Sequence, residues 1–116
     1  MTRVLIVDDS ADFRRLARLL LEQEGFDVLG EAADGPSADR ALGTLAPDLV
    51  LLDVNLPGES GFEIAARISQ APGGPAVLLT STHDESDYAD LARRSGAKGF
   101  VAKDDLSAAT IARALS

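Results

Sequence analysis

Apolar and polar positions in this chain segregate into blocks. Unbroken apolar runs occupy residues 4–7, 49–52, 77–79 and 100–102, and between them apolar residues recur every three or four positions. A short run with no polar residue on alternate positions predicts a strand of a parallel sheet covered on both faces, whereas the three-to-four spacing predicts an amphipathic helix. A weaker second strand is predicted at Asp27–Ala32, centred on Val28 and Leu29, and the fourth and fifth strands at 76–80 and Gly99–Ala102.

The helical stretches fall between the strands. The first carries Phe13, Leu16, Ala17, Leu20 and Leu21, with Gly25 as its stop. Pro36 suits the first turn of a second helix with Ala38, Ala41, Leu42 and Leu45 on its inner face, and Pro47 ends it. A Leu56-Pro57-Gly58 turn leads past Gly61 to a third helix carrying Ile64, Ala65 and Ile68, stopped by Pro72-Gly73-Gly74-Pro75. Tyr88, Leu91 and Ala92 mark a short fourth helix before Gly96, and Ala108, Ile111, Ala112 and Leu115 the last. The pattern predicts an α/β domain of (βα)₅ type with right-handed crossovers and no linker, repeat or low-complexity segment.

The apolar runs end on polar residues: Asp8 and Asp9, Asp53, Thr80 and Ser81, and Lys103. In open α/β sheets the ligand crevice lies beyond the carboxyl ends of the strands, so these side chains are expected to meet there. They are residue types that handle phosphate or a divalent cation.

Composition narrows the partners. At 116 residues the chain is the size of one domain with a real core, and 46% hydrophobic against 26% charged residues reads as globular rather than disordered. With no cysteine, disulfides and thiolate metal sites are excluded. Met1 leads straight into the first strand and no run approaches the ~20 residues of a membrane span, so the reading is cytoplasmic, with no membrane partner. A net charge of −8 argues against nucleic-acid binding by this domain alone, because phosphate contacts need Lys/Arg clusters.

Asp8-Asp9 after the first strand, Asp53 followed by Val-Asn-Leu-Pro-Gly-Glu-Ser-Gly, a hydroxyl after the fourth strand, and Gly96-Ala-Lys-Gly-Phe-Val-Ala-Lys103 closing the fifth resemble the receiver domain of two-component response regulators. The likeness covers residues 1–116. It implies a single-domain, doubly wound, flavodoxin-like sheet with strand order 2-1-3-4-5. It makes Asp53 the phosphoacceptor, Asp8, Asp9 and Asp53 metal carboxylates, and the Asn55 backbone carbonyl a further metal ligand. It makes Ser81 the switch hydroxyl, with Thr80 the second choice, Lys103 the phosphate-pairing cation and Phe100 the switch aromatic. A carboxylate attacking phosphorus repels the donor's charge, so a hard dication on oxygen ligands is needed, and Mg²⁺ is the natural choice. The resemblance implies a signalling protein that catalyses only its own phosphorylation and dephosphorylation, partnered by a sensor histidine kinase or phosphotransfer protein. Phosphorylation would alter the face of the fourth helix, fifth strand and fifth helix to control homodimerisation or partner binding.

Each position has a plainer reading. Asp8 and Asp9 fit a solvated strand end or a helix cap, Ser81 a loop hydroxyl among Thr80 and Thr82, Phe100 a core residue and Lys103 a surface lysine. His83, the one histidine, reads as a solvated side chain on the loop rim, with reach into the site as the alternative. Asp104 follows Lys103 where many receivers carry proline, and Lys-Asp-Asp-Leu with serine at the switch position resembles the NarL/FixJ subfamily. Receivers of that subfamily usually precede a helix-turn-helix DNA-binding domain, and the expectation is a stand-alone regulator or an excised receiver. The rival functions are a Mg²⁺-dependent aspartyl-nucleophile phosphohydrolase and a non-phosphorylated protein-interaction module on the same fold. The first normally has its nucleophile after the first strand, with a second Asp two residues on. Dinucleotide binding is disfavoured by the Asp-Asp-Ser turn after the first strand, which is not glycine-rich.

Overall fold

A computed structural model describes residues 1–83 and 87–116. Along these residues strand and helix alternate: β1 (Arg3–Val7), α1 (Ala11–Gln23), β2 (Asp27–Ala32), α2 (Gly35–Thr44), β3 (Leu49–Asp53), α3 (Gly61–Gln70), β4 (Ala76–Ser81), α4 (Tyr88–Arg94), β5 (Gly99–Ala102), a 3₁₀ turn at Lys103–Asp105, and α5 (Ala108–Leu115). All pairings in the sheet are parallel, in the order β2-β1-β3-β4-β5.

The unbroken apolar runs are explained by two cores, one on each face of the sheet. Successive strand residues point to opposite faces, so Leu5, Val7, Val50, Leu52, Val77 and Leu79 pack with Ala38 of α2, Ile64, Ala65 and Ile68 of α3 and Ala92 of α4. Val4, Ile6, Leu49, Leu51, Leu78 and Val101 pack with Ala17 and Leu21 of α1 and Ile111 of α5. Each fully buried leucine contributes roughly 2 kcal/mol of hydrophobic stabilisation. A polar residue on a run would lose this contribution and leave a buried group to satisfy.

The same alternation assigns faces to the polar strand ends. Asp8 continues the series Val4, Ile6, and Asp53 the series Leu49, Leu51, so both belong to the face covered by α1 and α5. Ser81 continues Val77, Leu79, and Phe100 packs against the core those residues form, so the two share the face covered by α3 and α4.

Several details depart from the pattern reading. β1 begins one residue earlier, because Arg3 pairs with Asp27 and its N–H donates to Asp48 Oδ2 at 2.9 Å. β4 extends to Ser81, which pairs with Ala102. Leu16 is 63% exposed although its spacing placed it on the inner stripe of α1. On α5, Ala112 is exposed and Ala114 packs against the core instead, while Leu106 is buried without having been part of any stripe.

Candidate functional site

Local chemistry at each strand end fixes where the polar side chains go. After β1 the chain turns sharply: Ser10 N–H donates to Asp8 Oδ1 at 2.9 Å, and Ser10 Oγ in turn accepts from Phe13 N–H as the N-cap of α1. After β3, Asn55 N–H donates to Asp53 Oδ1 at 3.2 Å. The loop then passes Gly58 at φ +84°, a left-handed conformation that favours glycine, and returns so closely that Gly61 N–H donates to Val54 O at 2.8 Å. A Cβ at position 61 would collide with the Asp53 carbonyl and the Val54 backbone, so the glycine permits α3 to start against the end of β3.

These turns bring Asp8, Asp9 and Asp53 together, each with a carboxylate oxygen within 4.8 Å of the others. Asp8 and Asp53 are buried and Asp9 is exposed. Lys103 reaches into the cluster from the end of β5, its Nζ 2.6 Å from Asp8 Oδ2 and 3.6 Å from Asp53 Oδ2. The ammonium also lies 4.5 Å from the centre of the Phe13 ring, a cation–π contact. Lys103 is thus a mostly buried partner of the acid cluster and no surface lysine, with 11% of its side chain exposed.

Electrostatics follow from that crowding. Burial first, and then the charge of Asp8, pushes the Asp53 carboxyl up from the ordinary aspartate range. Lys103 and the Asn55 N–H pull the other way, and Asp9 adds a further push upward. Asp8 Oδ2 is buried and accepts no well-formed hydrogen bond, so on this oxygen the neighbouring ammonium offsets the charge, while Oδ1 accepts from Ser10 N–H.

The two hydroxyl candidates sit differently. Thr80 pairs with Asp53 on one side and Val101 on the other inside the ladder, and its carbonyl accepts from Val54 N–H at 2.9 Å. Ser81 ends the strand, fully buried, its Oγ accepting from His83 N–H at 3.1 Å. His83 is exposed. Phe100 is half-buried and packs edge-to-face on Tyr88, with ring centroids 5.4 Å apart at 63°, and Tyr88 packs likewise on Phe62 at 6.0 Å and 66°.

One part of the site was not anticipated. Arg14 Nη1 donates to the Asp8 carbonyl at 2.6 Å while its Nε donates to Glu31 Oε1 at 3.1 Å, and Arg18 Nε donates to Glu31 Oε2 at 2.7 Å. Burial pushes the Glu31 carboxyl up, but the bonds and charges of Arg18 and Arg14 outweigh it and hold it below the usual range. The Arg14-Arg15 and Arg18 spacing is visible in the sequence, yet nothing in it says which arginine turns inward.

The profile of the response regulator receiver domain matches residues 4–115. The chain belongs to this family. The receiver is similar to the signal receiver domain of the response regulator NarL from Mycobacterium tuberculosis, at 35% identity over 97% of this chain and 95% of that one, with a TM-score of 0.84. It is similar at 26% identity to the chemotaxis response regulator CheY4 of Vibrio cholerae, covering 99% of each chain with a TM-score of 0.84. Among curated relatives it is 40% identical over 87% of its length to the DNA-binding response regulator MtrA of Mycobacterium tuberculosis, of which it covers 43%. It is 36% identical, over 87% of its length, to the transcriptional regulatory protein PdtaR of the same species, of which it covers 49%. The receiver thus spans about half or less of the curated relatives it matches. Among the described residues no helix is long and apolar enough to cross a membrane.

Proposed function

We propose that this receiver is the phosphoacceptor of a His–Asp phosphorelay and takes a phosphoryl group on Asp53. The observation that carries the reading is the cluster itself: three carboxylates converge within 4.8 Å and one lysine bridges two of them. Burying like charges is costly and packing gains nothing from it, so the arrangement calls for a functional reason. A phosphohydrolase would use similar carboxylates and a lysine, but its nucleophile normally follows the first strand with a second Asp two residues on, whereas Asp53 ends β3 and its second neighbour is Asn55. No observation favours a bare interaction module.

The donor set fits a hard dication. All the ligand groups are oxygen, which selects Mg²⁺ over soft metals, and the buried Asp8 Oδ2 faces only the Lys103 ammonium among the described residues, with no well-formed hydrogen bond, so an ion can compete for it. Asp8, Asp9 and Asp53 would hold the ion, with the Asn55 carbonyl as a further ligand. When bound it supplies charge neutralisation between the attacking carboxylate and the phosphoryl oxygens.

The chain's own residues do the rest. An Asp53 carboxylate oxygen attacks phosphorus in line and forms an acyl phosphate. The P–N bond of a phosphohistidine, or the P–O bond of a small acyl-phosphate donor, breaks and its electron pair leaves with the departing group. Lys103 then pairs with a phosphoryl oxygen as a compact point charge, and Ser81 donates its hydroxyl to another. The space left by Ser81 lets Phe100 turn inward, which alters the α4–β5–α5 face used for homodimerisation or a protein partner. A DNA-binding output domain can follow in the native chain, since the relative MtrA, of which this receiver covers 43%, is a DNA-binding response regulator.

The experiment is incubation with Mg²⁺ and acetyl phosphate, followed by intact-mass and peptide analysis. One alkali-labile phosphoryl group on Asp53, absent from Asp53→Asn, is the expected result. Label on serine or threonine, or rapid turnover of varied phosphomonoesters, overturns the reading in favour of a hydrolase.

A further inference from the structure

Beyond the carboxylates themselves, the turn that carries two of them is held from outside the cluster. The last rung of the β1–β2 ladder is the Asp8 N–H donating to Ala32 O at 2.9 Å, past the final strand pair Val7 with Ala32. From there the chain must leave the sheet and present Asp8 inward and Asp9 outward. The Asp8 carbonyl is taken by Arg14 Nη1 at 2.6 Å, and the same guanidinium reaches Glu31 on the edge strand β2 through Nε. Glu31 is fixed in turn by Arg18, one helical turn on from Arg14, at 2.7 Å.

We propose that Arg14 is a positioning residue for the metal carboxylates: clamped by Glu31, it fixes the Asp8-Asp9-Ser10 turn and thereby sets the affinity for Mg²⁺. The inference rests on the phosphoacceptor reading given above and names a residue of the same site. Two features of the guanidinium suit the task. It is planar with donors on several nitrogens, so it can bond a carbonyl and a carboxylate at once, which an ammonium on a flexible stem cannot do in one fixed geometry. Its side chain is only 19% exposed, so the bond to the carbonyl is shielded from water.

Charge and positioning predict opposite signs. Arg14 is a cation beside a cation site, so deleting its charge would by Coulomb's law alone tighten Mg²⁺ binding. If the arginine acts by holding the turn, deleting it weakens binding instead. Groups that orient metal ligands from outside typically change metal affinity by about 10–100-fold when removed, and at the low end of that range the effect outweighs the loss of a partly exposed charge.

The test measures Mg²⁺ affinity by amide NMR titration of the metal-free protein, and the Mg²⁺ dependence of phosphorylation by acetyl phosphate. The proteins are wild type, Arg14→Met, Arg14→Lys, Glu31→Gln and, as control, Arg15→Met. Arg15 is 73% exposed and, among the described residues, pairs only with Asp12. We expect Arg14→Met to bind Mg²⁺ about tenfold more weakly. The phosphorylation rate should recover at saturating Mg²⁺, because the acceptor and Lys103 are untouched. Arg14→Lys should recover only part of the affinity, Glu31→Gln should lose affinity in the same direction, and Arg15→Met should match wild type. A merely structural arginine would lower the melting temperature and leave the Mg²⁺ affinity unchanged. Affinity within twofold of wild type, or tighter, in both Arg14→Met and Glu31→Gln overturns the inference while leaving the phosphoacceptor reading standing. Wild-type protein that does not bind Mg²⁺ overturns both. Should Arg14→Met fail to fold, Arg14→Lys and Glu31→Gln decide the matter.

Discussion

Lys103 Nζ and Asp8 Oδ2 lie 2.6 Å apart in surroundings where the lysine side chain is 11% exposed and the aspartate 1%. Breaking a buried pair by removing one partner costs about 3–5 kcal/mol, because the remaining charge is left uncompensated. Lys103→Met should therefore be destabilised by roughly that amount at neutral pH without divalent ions. Any ion that binds the native state adds RT ln(1 + [L]/Kd), and with the competing ammonium gone this increment should be larger in the variant than in wild type. Denaturant melts with and without Mg²⁺ measure both quantities. An unchanged midpoint in the metal-free variant would mean that the lysine compensates nothing.

Asp53 provides the pH dependence. Its carboxyl is pushed up, by burial first and by the charge of Asp8 second, against the pull of Lys103 and the Asn55 N–H. An acid whose folded pKa is raised contributes stability that is complete below its unfolded value, about 4, and is lost as pH rises through the folded value. Asp53→Asn removes that loss. In the absence of Mg²⁺ the variant should melt higher than wild type at pH 7, with the difference shrinking as pH falls through the folded value toward about 4. Melting curves from pH 3 to 8 check the sign, and a variant less stable than wild type at neutral pH contradicts it.

How far the sequence reading reached is clearest at particular residues. Asp8, Asp53 and Lys103 were legible because an acid or a lysine at the end of an apolar strand has no packing reason to be there, and the parallel topology aims such ends at one place. Leu16 was misread because helical spacing tells which residues share a face but not how far the sheet extends beneath it. It lies instead on the rim of a surface cleft with Phe13, Leu20, Lys103, Asp104 and Leu106. Leu106 escaped notice because it stands alone between a 3₁₀ turn and α5, with no periodicity to mark it. The Arg14–Glu31 clamp was illegible for a related reason. Residues seventeen apart meet only because β2 pairs with β1 and lies under α1, and charge patterning along one helix carries no information about that.

With Ser81 rather than Thr80 proposed as the switch hydroxyl, the two positions should respond differently to substitution. Thr80 is pinned in the ladder between Asp53 and Val101, and moving it would break the Val54 N–H to Thr80 O bond. Ser81 pairs with Ala102 at the very end of β4, and among the described residues its Oγ is engaged by His83 N–H, so the hydroxyl can exchange that bond for one to a phosphoryl oxygen. With beryllofluoride as the phosphoryl mimic, Ser81→Ala should still bind the mimic but fail to transmit amide shifts to residues 88–113, whereas Thr80→Val should transmit them. The reverse pattern assigns the switch to Thr80.

Tyr88 and Phe100 would report the proposed transition. Their rings meet edge-to-face at 5.4 Å, and such pairs contribute about 0.5–1.5 kcal/mol beyond the area they bury. In the proposed switch an inward turn of Phe100 would change this contact, and Tyr88 is the first residue of α4. A ligand at Asp53 shifts this equilibrium only through contacts that differ between the two states, so the change at Tyr88 should vanish when the coupling hydroxyl is removed. The chain has one tyrosine and no tryptophan, so its intrinsic fluorescence comes from Tyr88 alone. Beryllofluoride with Mg²⁺ should change that emission in wild type and in Thr80→Val, and leave it unaltered in Ser81→Ala. In Phe100→Leu the change should be largely lost, because no ring remains to move away. Emission that responds identically in wild type and Phe100→Leu would show that Tyr88 senses the site by another route and would remove Phe100 from the switch.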